Sequence, residues 1–318
     1  AWTGCCARSG PMTTIVTTMA RRRRGTPIDG WLVLDKPQGL TSARALARVL
    51  ALTGAAKGGH AGTLDPLATG VLPIALGEAT KTIAHAVAGA KRYRFTLCFG
   101  EARDTDDAEG AVVATSPSRP ATTDLVAALA GFQGVLDQVP PRYSAIKRAG
   151  QRACDVARAG GEPVLVARAV RLDAATLIER GDPDHAVIEL ACGKGFYVRA
   201  FARDLAARLG TLGYVAALRR LACGPFTLAQ AISLDKLQTV GHSPALVAHL
   251  MPIATALDDI PALPVSDEAA ARIARGQAVV VPGITDGPAF VTLAGRPVAL
   301  ATVDQGRVRP VRVFRQES

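Results

Sequence analysis

The chain has 318 residues, of which 49% are hydrophobic and 20% charged, so it can bury a sizeable core in one large domain and a small one. Its 37 Lys and Arg residues outnumber 27 Asp and Glu residues, and the resulting net charge of +10 suits a partner that carries phosphates. The sequence lacks long uninterrupted apolar runs, and its six cysteines show no zinc-ligand or disulfide-framework spacing. These features argue against a membrane span and predict a soluble protein of the reducing cytoplasm.

The N-terminal segment is expected to lie outside the folded protein. Residues 1–18 contain no apolar stretch long enough for a secretory signal, and the basic run Arg21–Arg24 follows rather than precedes them. We predict a disordered extension over residues 1–25, with Met19 as the expected start of translation. The arginine run is either a mobile arm that contacts phosphates or a solvated run of charge.

The first predicted elements are a strand and a helix. The apolar run Trp31–Asp35 ends at a Lys-Pro turn, after which Thr41 or Ser42 can cap a helix that extends to about Leu52. Beyond a glycine-rich loop, the pattern predicts a strand at Leu72–Leu76, a helix at Ala79–Val87, a half-buried strand at Arg92–Phe99, a helix at Asp124–Ala130 capped by Thr122 or Thr123, strands at Ala167–Leu177 and Ala186–Cys192, and a helix from Val198 to Leu209.

This mixture of strands and helices lacks strict βαβ repetition, so it predicts an α+β domain built on a mixed or antiparallel sheet over residues 26–255. From about Leu257 the sequence changes to short β-rich segments separated by glycine, after the linker-like Pro261–Pro264. These segments predict a small β-barrel of about 55 residues. We assign it to residues 256–318.

The most informative segment is Gly59–Gly70, with the sequence GHAGTLDPLATG. Three glycines and a proline let this backbone turn tightly and approach a ligand closely. Its ionisable side chains are His60 and Asp65. An isolated Asp-Pro pair more often starts a turn than marks a functional site. Asp65 is therefore a candidate functional residue because of the segment around it, and not because of the Asp-Pro pair alone.

This segment resembles the catalytic loop of the TruB family of tRNA pseudouridine synthases, and the resemblance extends from about Gly30 to Leu221. It implies a pseudouridine synthase domain followed by a PUA-like C-terminal domain. The implied reaction breaks the N1–C1′ bond of the T-loop uridine, rotates the uracil and rejoins it through C5, with no cofactor and no metal. Such an enzyme would bind the T-arm of tRNA as a monomer, without a guide RNA.

The resemblance implies catalytic roles for Asp65, Tyr93 and Arg199. Asp65 would act as nucleophile or base, and a cation beside it would keep it ionised and fix its rotamer. Arg199, in GKGFYVR, would be that cation; the alternative is a surface arginine in the first turn of a helix, where the helix dipole disfavours it. Tyr93 would stack on the flipped base and relay the C5 proton, unless it only packs in the core.

Five further residues are assigned to substrate or RNA binding. His60 would insert into the opened RNA loop, and Tyr197 would either close the pocket wall or only pack against it. Leu218 would pack at the target base, although core packing is the common role of a leucine. Lys36 would support the catalytic loop or contact a phosphate, and Lys147 would follow the RNA backbone.

The acidic segment Arg103–Gly110 fails the calcium-loop pattern, because Ala108 and Glu109 occupy positions that need other residue types. It resembles the acidic segment of the same family instead. That resemblance implies a structured loop near the site, with Asp107 bonded to the substrate or to neighbouring arginines.

Two rival functions belong to other classes of protein. A non-catalytic tRNA-binding or folding factor would keep the basic surface and the C-terminal barrel, but the presence of Asp65, Tyr93 and Arg199 together argues against it. An Asp/His hydrolase lacks support, since the sequence offers no serine or cysteine elbow and no metal cluster. The resemblance to the TruB family therefore implies an RNA-uridine isomerase.

Overall fold

The computed structural model describes residues 25–144, 146–148 and 150–315. The predicted N-terminal extension and the run Arg21–Arg24 lie outside this part of the chain. The α-helices are α1 Ser42–Thr53, α2 Ile83–Ala88, α3 Thr122–Ala130, α4 Ala153–Arg158, α5 Val198–Arg208, α6 Leu234–Val240 and α7 Asp267–Ala274, and 3-10 helices occupy Gly77–Thr82, Leu228–Gln230, Pro244–His249 and Ile253–Leu257.

Strands make up most of the regular structure. They are β1 Gly30–Lys36, β2 Gly58–His60, β3 Thr69–Leu76, β4 Lys91–Phe99, β5 Glu101–Arg103, β6 Val112–Thr115, β7 Gly134–Gln138, β8 Lys147–Arg148, β9 Gln151–Arg152, β10 Arg168–Glu179, β11 His185–Cys192, β12 Gly213–Cys223, β13 Phe226–Thr227, β14 Leu250–Met251, β15 Ala262–Pro264, β16 Val279–Val280, β17 Gly287–Leu293, β18 Arg296–Asp304 and β19 Arg307–Val313.

One large sheet organises the first two thirds of the chain, in the order β14-β1-β3-β12-β4-β11-β10-β7. Its path is antiparallel except where β3 and β12 run parallel, which confirms the predicted α+β domain on a mixed sheet. The local sequence pattern does not predict the central strand β12. Two register shifts against β4 and two consecutive arginines interrupt the alternation that would identify a strand.

Both faces of this sheet are covered. On one face α1, α3 and α5 pack against the strands and form the larger core, which includes Phe95, Phe99 and Phe201. On the other face a smaller core surrounds Trp31 and Phe226, whose ring centroids lie 4.9 Å apart. The strands lie between these two cores, so the residues at their ends have fixed positions. Fixed positions are the condition for a site of defined geometry.

Two local predictions are wrong. The single helix predicted at Ala79–Val87 is instead a 3-10 helix, Gly77–Thr82, followed by α2. In that 3-10 helix the hydroxyls of Thr80 and Thr82 donate to the carbonyls three residues earlier, which favours the tighter winding. The predicted threonine cap of α3 is absent, because Ala121 occupies the N-cap position and provides no side-chain bond. The Thr41 cap of α1 is confirmed by its bond from the Arg44 amide at 3.2 Å.

The C-terminal region forms a curled five-stranded sheet in the order β15-β17-β18-β19-β16, with α7 packed into its core. The segment predicted as a linker contributes β15, which pairs with β17 and so belongs to this sheet. The sheet is attached to the large domain through the 3-10 helix at Gly77–Thr82: the Lys81 ammonium donates to the Val313 carbonyl, and the Arg315 amide donates to the Glu78 carboxylate. Among the described residues, no helix combines the length and apolarity needed to cross a membrane.

Candidate active site

Asp65 lies at a cavity of about 260 Å³ beside the central strands β12 and β4, and the loop that carries it leads into β3. The cavity brings together residues that are far apart in sequence: Asp65, Tyr93, Tyr197, Arg199, Leu218 and Arg220. The three residues predicted to be catalytic therefore line one cavity.

The loop that carries Asp65 is held by a serine on α1. The Ser42 hydroxyl accepts a hydrogen bond from the Leu64 amide at 2.8 Å and lies 3.0 Å from the Leu64 carbonyl, to which it donates. The Ala68 amide donates to the Asp65 carbonyl, and the Gly39 amide donates to the Pro66 carbonyl. The sequence pattern predicts Ser42 only as a possible helix cap. Its role in holding the loop depends on its contact with Leu64, which the pattern does not reveal.

Replacing Ser42 with alanine should destabilise the protein by about 1–3 kcal/mol, because it leaves the buried amide and carbonyl of Leu64 without a partner. Denaturant unfolding measures this change in the free energy of unfolding. Thr53→Ala is the matched control, since Thr53 is also a buried hydroxyl on α1 but bonds only to backbone near its own helix end. Turnover should fall in Ser42→Ala and stay unchanged in Thr53→Ala; the reverse order would contradict this role of Ser42.

Arg199 forms the predicted ion pair with Asp65. Its Nη2 lies 2.9 Å from Oδ2 of Asp65, and its side chain is 5% exposed against 36% for Asp65. The guanidinium also donates to the carbonyls of Thr105 at 2.8 Å and Tyr143 at 3.0 Å. Arg199 is thus held by two backbone carbonyls, and its Nη2 meets both the Tyr143 carbonyl and the Asp65 carboxylate.

The acidic segment provides a second carboxylate behind this pair. Asp107 is buried, and its Oδ2 lies 3.5 Å from Nε of Arg199. Its other oxygen accepts from the Thr105 hydroxyl at 2.7 Å and from the Glu109 amide at 3.1 Å. The two carboxylates offset the unfavourable position of Arg199 in the first turn of α5, and the segment is a structured loop that braces the arginine.

Tyr93 combines a packing role with a place in the cavity. It packs against the larger core and also lines the cavity. Burial raises the pKa of the Tyr93 phenol to about 12, so the hydroxyl is protonated at neutral pH and can donate a hydrogen bond. The two roles weighed for Tyr93 are therefore compatible in one residue.

Tyr197 and Leu218 form walls of the same cavity. The Gln138 side chain bonds to both the amide and the carbonyl of Tyr197, at 2.8 and 3.1 Å. The Arg168 guanidinium lies 5.1 Å from the Tyr197 ring centroid, within cation–π range. Leu218 is 8% exposed and belongs to the larger core while it lines the cavity.

Lys36 is fully buried, and its ammonium donates to three carbonyls. These belong to Pro37 at 3.0 Å, Leu40 at 2.7 Å and Pro66 at 3.3 Å. Pro66 follows Asp65 directly, so this geometry favours support of the catalytic loop over contact with a phosphate. Burial lowers the pKa of Lys36 to about 8.

Turnover should decline as the pH rises through about 8, the pKa of Lys36. Below that pH the ammonium has three N–H donors for its three carbonyls, and above it the neutral amine has only two. A pH–rate profile under single-turnover conditions measures the decline. Lys36→Met should be slower at every pH and should lack this step; an identical decline in the variant would assign it to another group.

His60 lies at a second cavity of about 480 Å³, which also reaches Asp65. Burial lowers the pKa of His60, so the imidazole is neutral at pH 7. Its Nδ1 is buried and has no hydrogen-bond partner among the described residues. The side chain of Lys147, the remaining predicted RNA-binding residue, lies outside the described part of the structure.

Sequence comparison places this site in a family. The sequence model described as "TruB family pseudouridylate synthase (N terminal domain)" matches residues 50–198, and that described as "tRNA pseudouridylate synthase B C-terminal domain" matches residues 199–258. Proteins named tRNA pseudouridine synthase B are similar to this chain. The one from Bradyrhizobium diazoefficiens is 51% identical, and the match covers 92% of this chain and 88% of the relative. The one from Gluconacetobacter diazotrophicus is also 51% identical, and the match covers 92% of this chain and 100% of the relative.

Solved structures share the fold at lower identity. The archaeal box H/ACA sRNP Nop10–Cbf5 complex contains a chain with a TM-score of 0.70 and 21% identity, covering 92% of this chain and 91% of that one. An H/ACA RNP bound to a substrate RNA containing 2′-deoxyuridine contains a chain with a TM-score of 0.71 and 20% identity, covering 93% and 92%. The extent and identity of the sequence matches show that the chain belongs to the TruB family of pseudouridylate synthases.

Proposed function

We propose that this protein is a stand-alone tRNA pseudouridine synthase that isomerises the T-loop uridine of tRNA. The observation that carries the proposal is the 2.9 Å ion pair between Asp65 and the buried Arg199 at a cavity of about 260 Å³ that Tyr93 also lines. Relatives that are 51% identical over most of the chain are named tRNA pseudouridine synthase B, which supports tRNA as the substrate.

The cavity suits a uridine that has been flipped out of the RNA stack. Tyr93 and Leu218 offer it an aromatic and an aliphatic wall, and Asp65 lines the same cavity, so we assign its carboxylate to the sugar or the base of the bound uridine. The reaction breaks N1–C1′, turns the uracil within the cavity and forms C5–C1′. The proton on C5 leaves and N1 gains one, so no oxidant, reductant or energy source is consumed.

The remaining residues receive supporting roles in this proposal. His60, at the second cavity beside Asp65, is placed to hold the RNA loop open once the uridine has left it. Tyr197 closes the wall of the 260 Å³ cavity proposed to hold the base, here called the base cavity. Lys36 supports the loop of Asp65 through Pro66. Lys147 is assigned to the RNA backbone on its charge alone.

We further propose that residues 26–255 form the catalytic domain and residues 256–318 a PUA-like domain. The curled sheet β15 to β19 supports the second assignment. The enzyme would bind the T-arm as a monomer without guide RNA and without a cofactor. A tRNA substrate and four free cysteines among the described residues agree with a cytoplasmic location.

The test is release of tritium from C5-labelled uridine in an unmodified tRNA transcript. The wild-type protein should release one tritium per tRNA, because only one uridine is isomerised. A transcript with the T-loop uridine replaced by cytidine should release none. Tight tRNA binding without any tritium release would refute the proposed enzymatic activity. It would leave the rival hypothesis, a tRNA-binding or folding factor.

A further inference from the structure

Arg220 lies beside the reaction site and has no role in the mechanism above. It is 1% exposed, and it lines the base cavity. Within the described residues it forms no ion pair with a carboxylate, whereas Arg199 is paired with Asp65 and Asp107. A buried charge is costly unless hydrogen bonds compensate for it, so the contacts of Arg220 indicate what it contributes.

Those contacts join the two ends of the catalytic loop. The Nε of Arg220 donates to the Val71 carbonyl at 2.6 Å, and Nη2 donates to the Gly62 carbonyl at 3.1 Å. Gly62 precedes Asp65 in the loop, and Val71 follows it in β3. One guanidinium therefore spans the segment that displays the catalytic carboxylate.

The glycines of the loop permit this close approach. Gly70 has φ +97°, and a Cβ there would lie 2.2 Å from the Arg220 carbonyl oxygen. Gly62 has φ +81°, and its Cβ would lie 3.3 Å from Nη1 of Arg220. A side chain at Gly70 would clash with the backbone of Arg220, and one at Gly62 would crowd its guanidinium.

Arg220 also faces Tyr93. The two residues are directly opposite in the β4–β12 ladder, which brings their side chains to the same face of the sheet. The positive charge of Arg220 opposes the effect of burial on the pKa of Tyr93. The arginine thus contacts the scaffold of Asp65 on one side and the phenol on the other.

We propose that Arg220 is a positioning residue that ties together the two ends of the Asp65 loop and holds a positive charge against the Tyr93 hydroxyl, so that carboxylate and phenol face the same base. This role rests on the function proposed above. Arg219, the preceding residue, provides a natural control. It pairs with Asp35 through bonds of 2.7 and 3.0 Å and is 39% exposed.

The first experiment compares Arg220→Lys with Arg219→Lys. A lysine at position 220 keeps the charge but cannot reproduce the two divergent donors that reach Gly62 and Val71. The single-turnover rate of pseudouridine formation on the tRNA transcript should fall by about 10–100-fold in Arg220→Lys, as expected for a misplaced catalytic group. The dissociation constant for tRNA should stay near the wild-type value, and Arg219→Lys should match the wild type in both measurements.

The second experiment follows the Tyr93 hydroxyl directly. The chain has four tyrosines, so ¹³Cζ labelling gives few NMR resonances, and Tyr93→Phe assigns the relevant one. Arg220→Gln removes the charge and keeps a donor. In this variant the Tyr93 resonance should begin to titrate at higher pH than in the wild type, while the other three tyrosines are unchanged. A general loss of structure would change the titration of several tyrosines, and not that of Tyr93 alone.

The outcomes separate the two proposals. If the wild type forms no pseudouridine, the proposed function fails. If the wild type is active and Arg220→Lys is as fast as Arg219→Lys, or if Tyr93 titrates identically in Arg220→Gln, the role of Arg220 is refuted. Parallel loss of rate and tRNA binding would refute it too. Should Arg220→Lys lack a cooperative thermal transition, Arg220→Gln replaces it in the rate comparison.

Discussion

Replacing Asp65 with asparagine should abolish turnover while tRNA binding is kept. The amide is nearly isosteric with the carboxylate, so the loop geometry set by Ser42 and Lys36 should survive. What is lost is the charge that we propose acts as nucleophile or base, and removal of such a group lowers turnover by at least about 10⁴-fold. Tritium release under single-turnover conditions measures the loss, and a filter-binding assay with the same transcript measures tRNA affinity.

Asp35 offers a closely matched control for this experiment. Its side chain is 34% exposed against 36% for Asp65, and like Asp65 it is paired with an arginine, Arg219. Asp35→Asn should therefore lose a comparable ion pair without losing activity. If Asp65→Asn retained more than a small fraction of the wild-type rate, the carboxylate would not be the essential group.

Replacing Arg199 with lysine should lower turnover by about 10²–10³-fold, the size expected when one oriented hydrogen-bond donor is lost beside the reacting groups. Lysine keeps the charge but cannot contact Asp65 and Asp107 while donating to the carbonyls of Thr105 and Tyr143. The buried Asp107 would then be left partly unpaired, so the thermal midpoint should fall as well. Single-turnover kinetics and calorimetry measure the two effects.

The control for Arg199 is Arg203, one turn further along α5. Arg203 pairs with Asp106 at 3.1 Å and with Asp204, and its side chain is 35% exposed. Lysine keeps the positive charge beside both carboxylates, and neither of them touches Asp65 or Asp107 through Arg203, so Arg203→Lys should change neither turnover nor the thermal midpoint by much. Equal losses in both variants would indicate that Arg199 acts only through the stability of α5.

Much of the secondary structure follows from local patterns. The strand at β1, the Thr41-capped helix α1 and the alternating strand β4 were all predicted, since each depends on the spacing of apolar residues and on a cap within a few positions. The 3-10 helix at Gly77–Thr82 was mistaken for an α-helix, because the threonine bonds that tighten it become visible only in the structure. Strand β12 was missed because its bulges and arginines hide its period.

Local composition and family resemblance are enough to identify the candidate reactive groups of this protein: the loop around Asp65, the motif that contains Arg199 and the aromatic strand of Tyr93. The contacts that hold these groups in place become visible only in the folded chain. Ser42 bonds to Leu64 across 22 positions, Lys36 to Pro66 across 30 and Arg220 to Gly62 across 158. Contacts between residues so far apart in sequence form when strands pair and helices pack, and no local periodicity encodes them.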